Sequence, residues 1–203
     1  LSDGTYSNCT IIVTDSAGNI SSTLTITTFT IEDTVSPTIE KVTAVTTPTN
    51  DTTPDYTFSS DEAGTITYGG FCSSSTTSAT TGHNTITLIS LNDGTYSDCT
   101  VSVTDEAGNI SSTLSISTFT VDITTPTISE VTSVTNPTND STPNYTFSSS
   151  ESGTITYGGS CSSSTTSATS GNNNITLNTL SEGTYSNCTI TVTDEIGFVS
   201  SSL

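Results

Sequence analysis

The side chains able to do chemistry in this chain are few in kind: five cysteines, twenty carboxylates, one histidine and one lysine. Cys72 and Cys99 stand 27 residues apart, and so do Cys161 and Cys188, a spacing that predicts one disulfide in each repeated unit. Zinc is the competing use of such cysteines. It needs about four ligands, and with no Cys-x-x-Cys pair and only His83 the chain offers too few. Disulfides persist in oxidising compartments, so an extracellular or cell-surface location is expected. Cys9 stays unpaired within this chain, because the same interval places its partner before residue 1.

Twenty acidic residues against the single Lys41 give a formal net charge of −19. That excludes nucleic acid as a partner, since phosphate recognition needs a basic footprint. No apolar run reaches the roughly 18 residues of a membrane span, so no membrane insertion is expected of this segment. An enzyme is hard to assemble: the serines have no base, and His83 is replaced by Asn172 at the matching place of the next unit.

The elements that must carry these residues come in repeats. "LSDGTYSNCTIIVTDSAGN" from Leu1 returns as "LNDGTYSDCTVSVTDEAGN" from Leu91 and "LSEGTYSNCTITVTDEIGF" from Leu180, at intervals of 90 and 89. The chain therefore opens inside a repeat, as a window cut from a longer protein would. Residues 1–34 read as the last two strands of one unit, 35–123 as a complete unit, and 124–203 as a unit lacking most of its last strand.

Within the complete unit, runs of Thr, Val, Ile and aromatic residues alternate with turn residues, the pattern of short strands with one dry face. "PTIEKVTAV" spaces Ile39, Val42 and Val45 by three, which predicts a kinked edge strand. Tyr56 and Phe58 share a face, Ile66 and Tyr68 alternate, and "SSSTTSATTGHN" reads as a loop. Cys99, Val101 and Val103 point one way along the clearest strand. "DEAGN" is a hairpin turn whose Gly108 takes a positive φ. In the last strand the apolar phase shifts between Ile116 and Phe119, for which a bulge is the economical reading.

About seven such strands predict an all-β fold of tandem immunoglobulin-like Greek-key sandwiches. The motif "LNDGTYSDCTVSVTDEAGN" closing into "FTVDITTPT" resembles the bacterial immunoglobulin-like repeats of large secreted adhesins and surface fibres, over essentially the whole chain. Two departures from antibody-type domains stand out: no tryptophan exists, and Tyr96 precedes Cys99 by three residues, which calls for an extra residue in the tyrosine corner. Each first cysteine follows "TITYGG", in the third strand. Cys72 and Cys99 are thus expected to meet across neighbouring strands, not between sheets.

Such a topology gathers carboxylates at one end of each unit. For the second unit they are Glu32, Asp33, Asp61, Glu62 and Asp105; for the third, Asp122, Glu151 and Asp194. Calcium, which takes six to eight hard oxygen ligands, is the cofactor such clusters would hold at domain junctions. The rival reading makes each of them a solvated turn residue. The resemblance implies calcium, as some repeats of that family use it between domains. Asp61 becomes Ser150 and Asn109 becomes Phe198, so a poorer second site is expected.

The expected function is a structural segment of a long extracellular tandem-repeat protein, an adhesin stalk or the body of a surface fibre. Its partners would be further copies of the repeat, in the same chain or in neighbouring subunits. The alternative is a filament subunit completed by strand addition between copies. A glycan- or protein-binding module ranks last, because the loop "CSSSTTSAT" lacks aromatic side chains to stack on sugars.

Overall fold

Alternating Thr, Ser and Val residues favour extended backbone, and the computed structural model, which describes residues 1–203, contains strands and no helix. The first strands are β1 (Gly4–Tyr6), β2 (Thr10–Ile11), β3 (Leu24–Thr25) and β4 (Phe29–Ile31). Next come β5 (Ile39–Thr43), β6 (Asp55–Ser60), β7 (Gly64–Gly69), β8 (Ser78–Ala79) and β9 (Gly82–Thr87). They are followed by β10 (Gly94–Tyr96), β11 (Thr100–Thr104), β12 (Leu114–Ser115) and β13 (Phe119–Val121). The last are β14 (Ile128–Thr132), β15 (Asn144–Ser149), β16 (Gly153–Gly158), β17 (Ser167–Ala168), β18 (Gly171–Thr176) and β19 (Thr189–Thr193).

The chain packs as two compact units. One comprises Leu1–Ala44, Asp55–Ile89 and Asp98–Ser117, the other Val45–Pro54, Ser90–Ser97 and Thr118–Leu203.

In the first unit β5-β6-β9 form one sheet and β12-β11-β7-β8 another, with β1–β4 and β2–β3 as separate pairs. Alternation does what the pattern predicts. Tyr56, Phe58 and Ile86 are buried on the three-stranded sheet, and Ile66, Val101 and Val103 on the four-stranded one. β5 is an edge strand whose register slips between Lys41 and Thr43, so the spacing by three reflects a bulge at Val42.

In the second unit the sheets are β14-β15-β18 and β17-β16-β19, with β10–β13 as a further pair. Phe147 and Ile175 from one sheet meet Ile155, Ile190 and Val192 from the other in a single buried cluster. The path leaves the first sheet after β15, returns for β18 and crosses again to β19, which is the sheet-changing course of a Greek-key sandwich.

Two expectations need correction. The Ser/Thr stretch is not all loop: it contains β8, and β9 starts at Gly82 because Asn84 ties the turn back through Thr80. The last strand is not one bulged strand either. β12 pairs with β11, whereas β13 pairs with β10 and, in parallel, with Thr49. The phase shift between Ile116 and Phe119 is thus a break at which the chain changes partners.

The cysteines bridge as expected: Cys72 joins Cys99, and Cys161 joins Cys188. β7 and β11 run antiparallel with Gly69 opposite Thr100, so Cys72 and Cys99 lie just beyond paired strand ends. The Gly-Gly before the bridge is required there. A side chain on Gly70, at φ 73°, would stand 2.2 Å from the Asp98 carbonyl oxygen. The Tyr96 hydroxyl makes the tyrosine-corner bond, reaching back four residues to donate to the Asn92 carbonyl at 3.0 Å. Tyr6 and Tyr185 do the same with Ser2 and Ser181.

Candidate functional site

The hairpin after the clearest strand supplies the most constrained carboxylate in each repeat. Asp105 Oδ1 accepts the Asn109 amide N–H at 2.8 Å, and Oδ2 accepts from the Asn109 side-chain amide at 2.8 Å. Asp15 and Asn19 form the same ring of bonds. At the third copy Phe198 replaces the asparagine. Asp194 Oδ1 still accepts from the amides of Gly197 and Phe198, at 2.7 and 2.8 Å. Its Oδ2 is buried with no hydrogen-bond partner.

Around two of these turns the topology closes a carboxylate triad. Asp33, Glu62 and Asp105 bring carboxylate oxygens within 4.8 Å of one another, and Asp122, Glu151 and Asp194 do the same. Residues from a strand exit, a turn between strands and a hairpin, distant in sequence, meet at each. Asn109 braces the first triad by donating to the Asp33 carbonyl at 3.2 Å. Thr124 braces the second, its hydroxyl lying 3.1 Å from Asp122 Oδ1 and 2.8 Å from Glu151 Oε1. The chain's one lysine does not serve either triad, since Lys41 Nζ rests on Ser117 Oγ.

Electrostatics register the crowding. Burial pushes the Glu62 carboxyl above its usual range, and repulsion from Asp33, Asp61, Asp105 and Asp3 adds to it. Burial also raises Asp105, but the bonds from Asn109, Gly108 and Ala107 together outweigh it and hold the group below the usual range. A divalent cation fits the second triad best: three carboxylates converge there, and one of them, Asp194, has a buried oxygen left without a partner. Asp122, Glu151 and Asp194 would hold it, supplying carboxylate oxygens only.

Six of the eight acidic residues singled out in the sequence therefore come together in triads, and two do not. Asp61 turns away to accept the Thr38 N–H at 2.6 Å, which holds its carboxyl below the usual range. Ser150 Oγ accepts the Thr127 N–H in the same role, so the change from Asp61 to Ser150 removes no triad member. Glu32 belongs to neither triad. The change from Asn109 to Phe198 takes away a side-chain donor, so Asp194 Oδ2 has no partner where Asp105 Oδ2 accepts from Asn109. His83 sits exposed on β9 opposite Ser59.

Sequence reasoning missed Ser111. Its hydroxyl accepts the Val103 N–H at 2.9 Å and donates to the Ser112 carbonyl at 3.0 Å, buried beside the hairpin. Ser200 and Val192 repeat the first contact. The signal was present as the recurring Ser after each "GN-I" or "GFV", hidden among many serines.

The model of the bacterial Ig-like domain matches residues 41–124. The matched residues carry the Cys72–Cys99 bridge together with Glu62 and Asp105. No curated protein matches the chain. One similar solved structure is that of Bacteroides ovatus mixed-linkage glucan utilization locus SGBP-B, in complex with a mixed-linkage heptasaccharide. It is 16% identical with a TM-score of 0.25, and the match covers 98% of this chain and 50% of that one. The chain spans half the length of that protein.

Proposed function

We propose that this chain is a structural segment of an extracellular tandem-repeat protein, serving as an adhesin stalk or as the body of a surface fibre. The observation that supports it most is duplication without variation in the framework. β7 on β11 and β16 on β19 pair in one register, each pair is closed by a bridge of the same span, and both copies keep the tyrosine hydroxyl bond. A repeat conserved in its bracing and plain in its loops is built to bear load and to extend. The disulfides agree with an oxidising, extracellular setting.

Stretching the chain between two handles tests this reading. With the bridges oxidised, each one hides 27 residues of separation from extension. Reduction is expected to lengthen the unfolding step by about 90 Å per bridge, from ~3.5 Å per extended residue. Low-force unfolding with no bridge-dependent step would count against a load-bearing segment.

Calcium belongs to the same proposal. Bound by Asp122, Glu151 and Asp194, it would tie three distant segments of the chain together. Thermal unfolding in calcium and then in excess chelator, with disulfides oxidised, reads it directly. A higher midpoint in calcium, lost in the double variant Asp122→Asn, Asp194→Asn, supports the site. An unchanged midpoint rejects it.

A further inference from the structure

From β7 to β11 the second copy of the repeat is a near duplicate of the third from β16 to β19, with "GTITYGG" and "CSSSTTSAT" standing in both. Most of the differences exchange polar for polar or apolar for apolar. Three do not. Phe71 stands where the third copy has Ser160, Ile89 where it has Asn178, and Asp98 where it has Asn187. None of the three is spent on the core, since Phe71 is 79% exposed, Ile89 is 51% exposed and Asp98 is exposed too. A lone exposed apolar side chain needs no explanation. These changes differ because the fold brings them to one place.

The Ile89 N–H donates to the Ser73 carbonyl at 2.8 Å and Ser74 pairs antiparallel with Leu88, so the stretch after the bridge cysteine runs beside the exit of β9. Cys72 and Leu88 are buried, and alternation along both segments turns Phe71, Ser73 and Ile89 outward. Asp98 joins them from just before β11. Its Oδ1 accepts the Phe71 N–H at 3.4 Å, and its Oδ2 makes no bond within the chain. The loop itself is tied down: Cys72 is bridged to Cys99, the Thr76 N–H donates to Ser74 Oγ at 3.2 Å, and the Tyr68 hydroxyl donates to the Thr76 carbonyl. In the third copy Asn178 Nδ2 closes onto Ser162 Oγ at 2.9 Å. Ile89 cannot make that bond, which leaves the hydroxyl of Ser73, the counterpart of Ser162, free for a ligand.

We propose that Phe71, with Ser73, Ile89 and Asp98 beside it, is a binding site for a neutral glycan, present in the second copy of the repeat and missing from the third. The face of the ring carries the negative part of the aromatic quadrupole and receives the C–H bonds of a pyranose. Asp98 Oδ2 accepts a sugar hydroxyl in a charge-assisted bond, and Ser73 Oγ both donates and accepts. Size favours a sugar over a protein. Two apolar side chains followed by the hydroxyl residues Ser73, Ser74, Ser75 and Thr76 suit a pyranose ring, whereas a stable protein interface buries roughly 800 Å² on each partner. Charge favours a neutral sugar, since a chain at −19 repels carboxylated or sulfated polysaccharide. A loop already tied down also loses little freedom on binding. The aromatic side chain that "CSSSTTSAT" lacks is thus supplied by the residue just before it. The site stands apart from the calcium triads and from the load-bearing reading.

Nuclear magnetic resonance titration of the full chain tests it, with cellohexaose, mannohexaose and maltohexaose as neutral probes and hexagalacturonate as the acidic one. At least one neutral probe is expected to move the amides of residues 70–74, 89 and 98 in a saturable way, while their counterparts at 159–163, 178 and 187 stay still. Hexagalacturonate should move neither set. Phe71→Ser installs the residue of the third copy, so folding is kept, and it should weaken binding about tenfold or more. Phe71→Tyr should retain it. The triple variant Ser160→Phe, Asn178→Ile, Asn187→Asp should transplant the site, and the amides of 159–163 should then respond. Silence toward every neutral probe overturns the glycan and leaves the patch to a protein partner. Shifts that survive Phe71→Ser, an equal response to hexagalacturonate, or a transplanted copy that stays silent each overturn the proposal as well.

Discussion

Asp105 and Asp194 hold the same place in successive repeats, yet their outer oxygens meet different fates because one side chain four residues on has changed. Asn109 satisfies Asp105 Oδ2, and Phe198 leaves Asp194 Oδ2 bare. Asn109→Ala should therefore lower the unfolding midpoint in chelator and enlarge its rise on adding calcium, because a competing donor has gone. Ser111 sets a second test. Ser111→Ala strands a buried Val103 N–H and should cost about 1–3 kcal/mol in urea unfolding. The charges add a pH dependence. Glu62, held above its usual range, costs stability at neutral pH, and that cost is relieved as pH falls through its raised value toward about 4.3. Asp61 and Asp105, held below theirs, contribute stability above the usual ~3.9 and lose it as pH falls through their lowered values. Unfolding midpoints in chelator should thus rise on mild acidification and then fall, and Glu62→Gln should flatten the rise.

Strands of two to six residues supply little stability each, so the elements depend on what joins them. The Cys72–Cys99 bridge ties the end of β7 to the start of β11 across a separation of 27 residues. Replacing both cysteines with serine should cost about 3.5 kcal/mol in the chain-entropy model, read as a lower urea midpoint. Gly70→Ala tests the turn that permits the bridge. Its left-handed backbone and the nearby Asp98 carbonyl leave no room for a methyl group, so a loss of ~1–3 kcal/mol is expected. The break between β12 and β13 matters for the same reason. A bulge would have kept both segments on one partner, whereas the break sends Phe119 and Val121 to β10 and Thr49, where they are fully buried.

Across the whole molecule, the periodic features were legible in the residues alone. Alternation placed Tyr56, Phe58, Val101 and Val103 on buried faces, the repeated interval paired the cysteines, and turn chemistry placed Gly108 at positive φ. Each of these is a local rule, stated by neighbours within a few residues or by the repeat itself. Tertiary structure decided matters in which the partner is remote. It turned Asp61 toward Thr38 and away from the triad, split the last strand between two partners, and left one oxygen of Asp194 bare. A carboxylate in the sequence has two oxygens and no direction. Only the packed chain determines which donors reach them first, because that contest is settled by geometry between segments tens of residues apart.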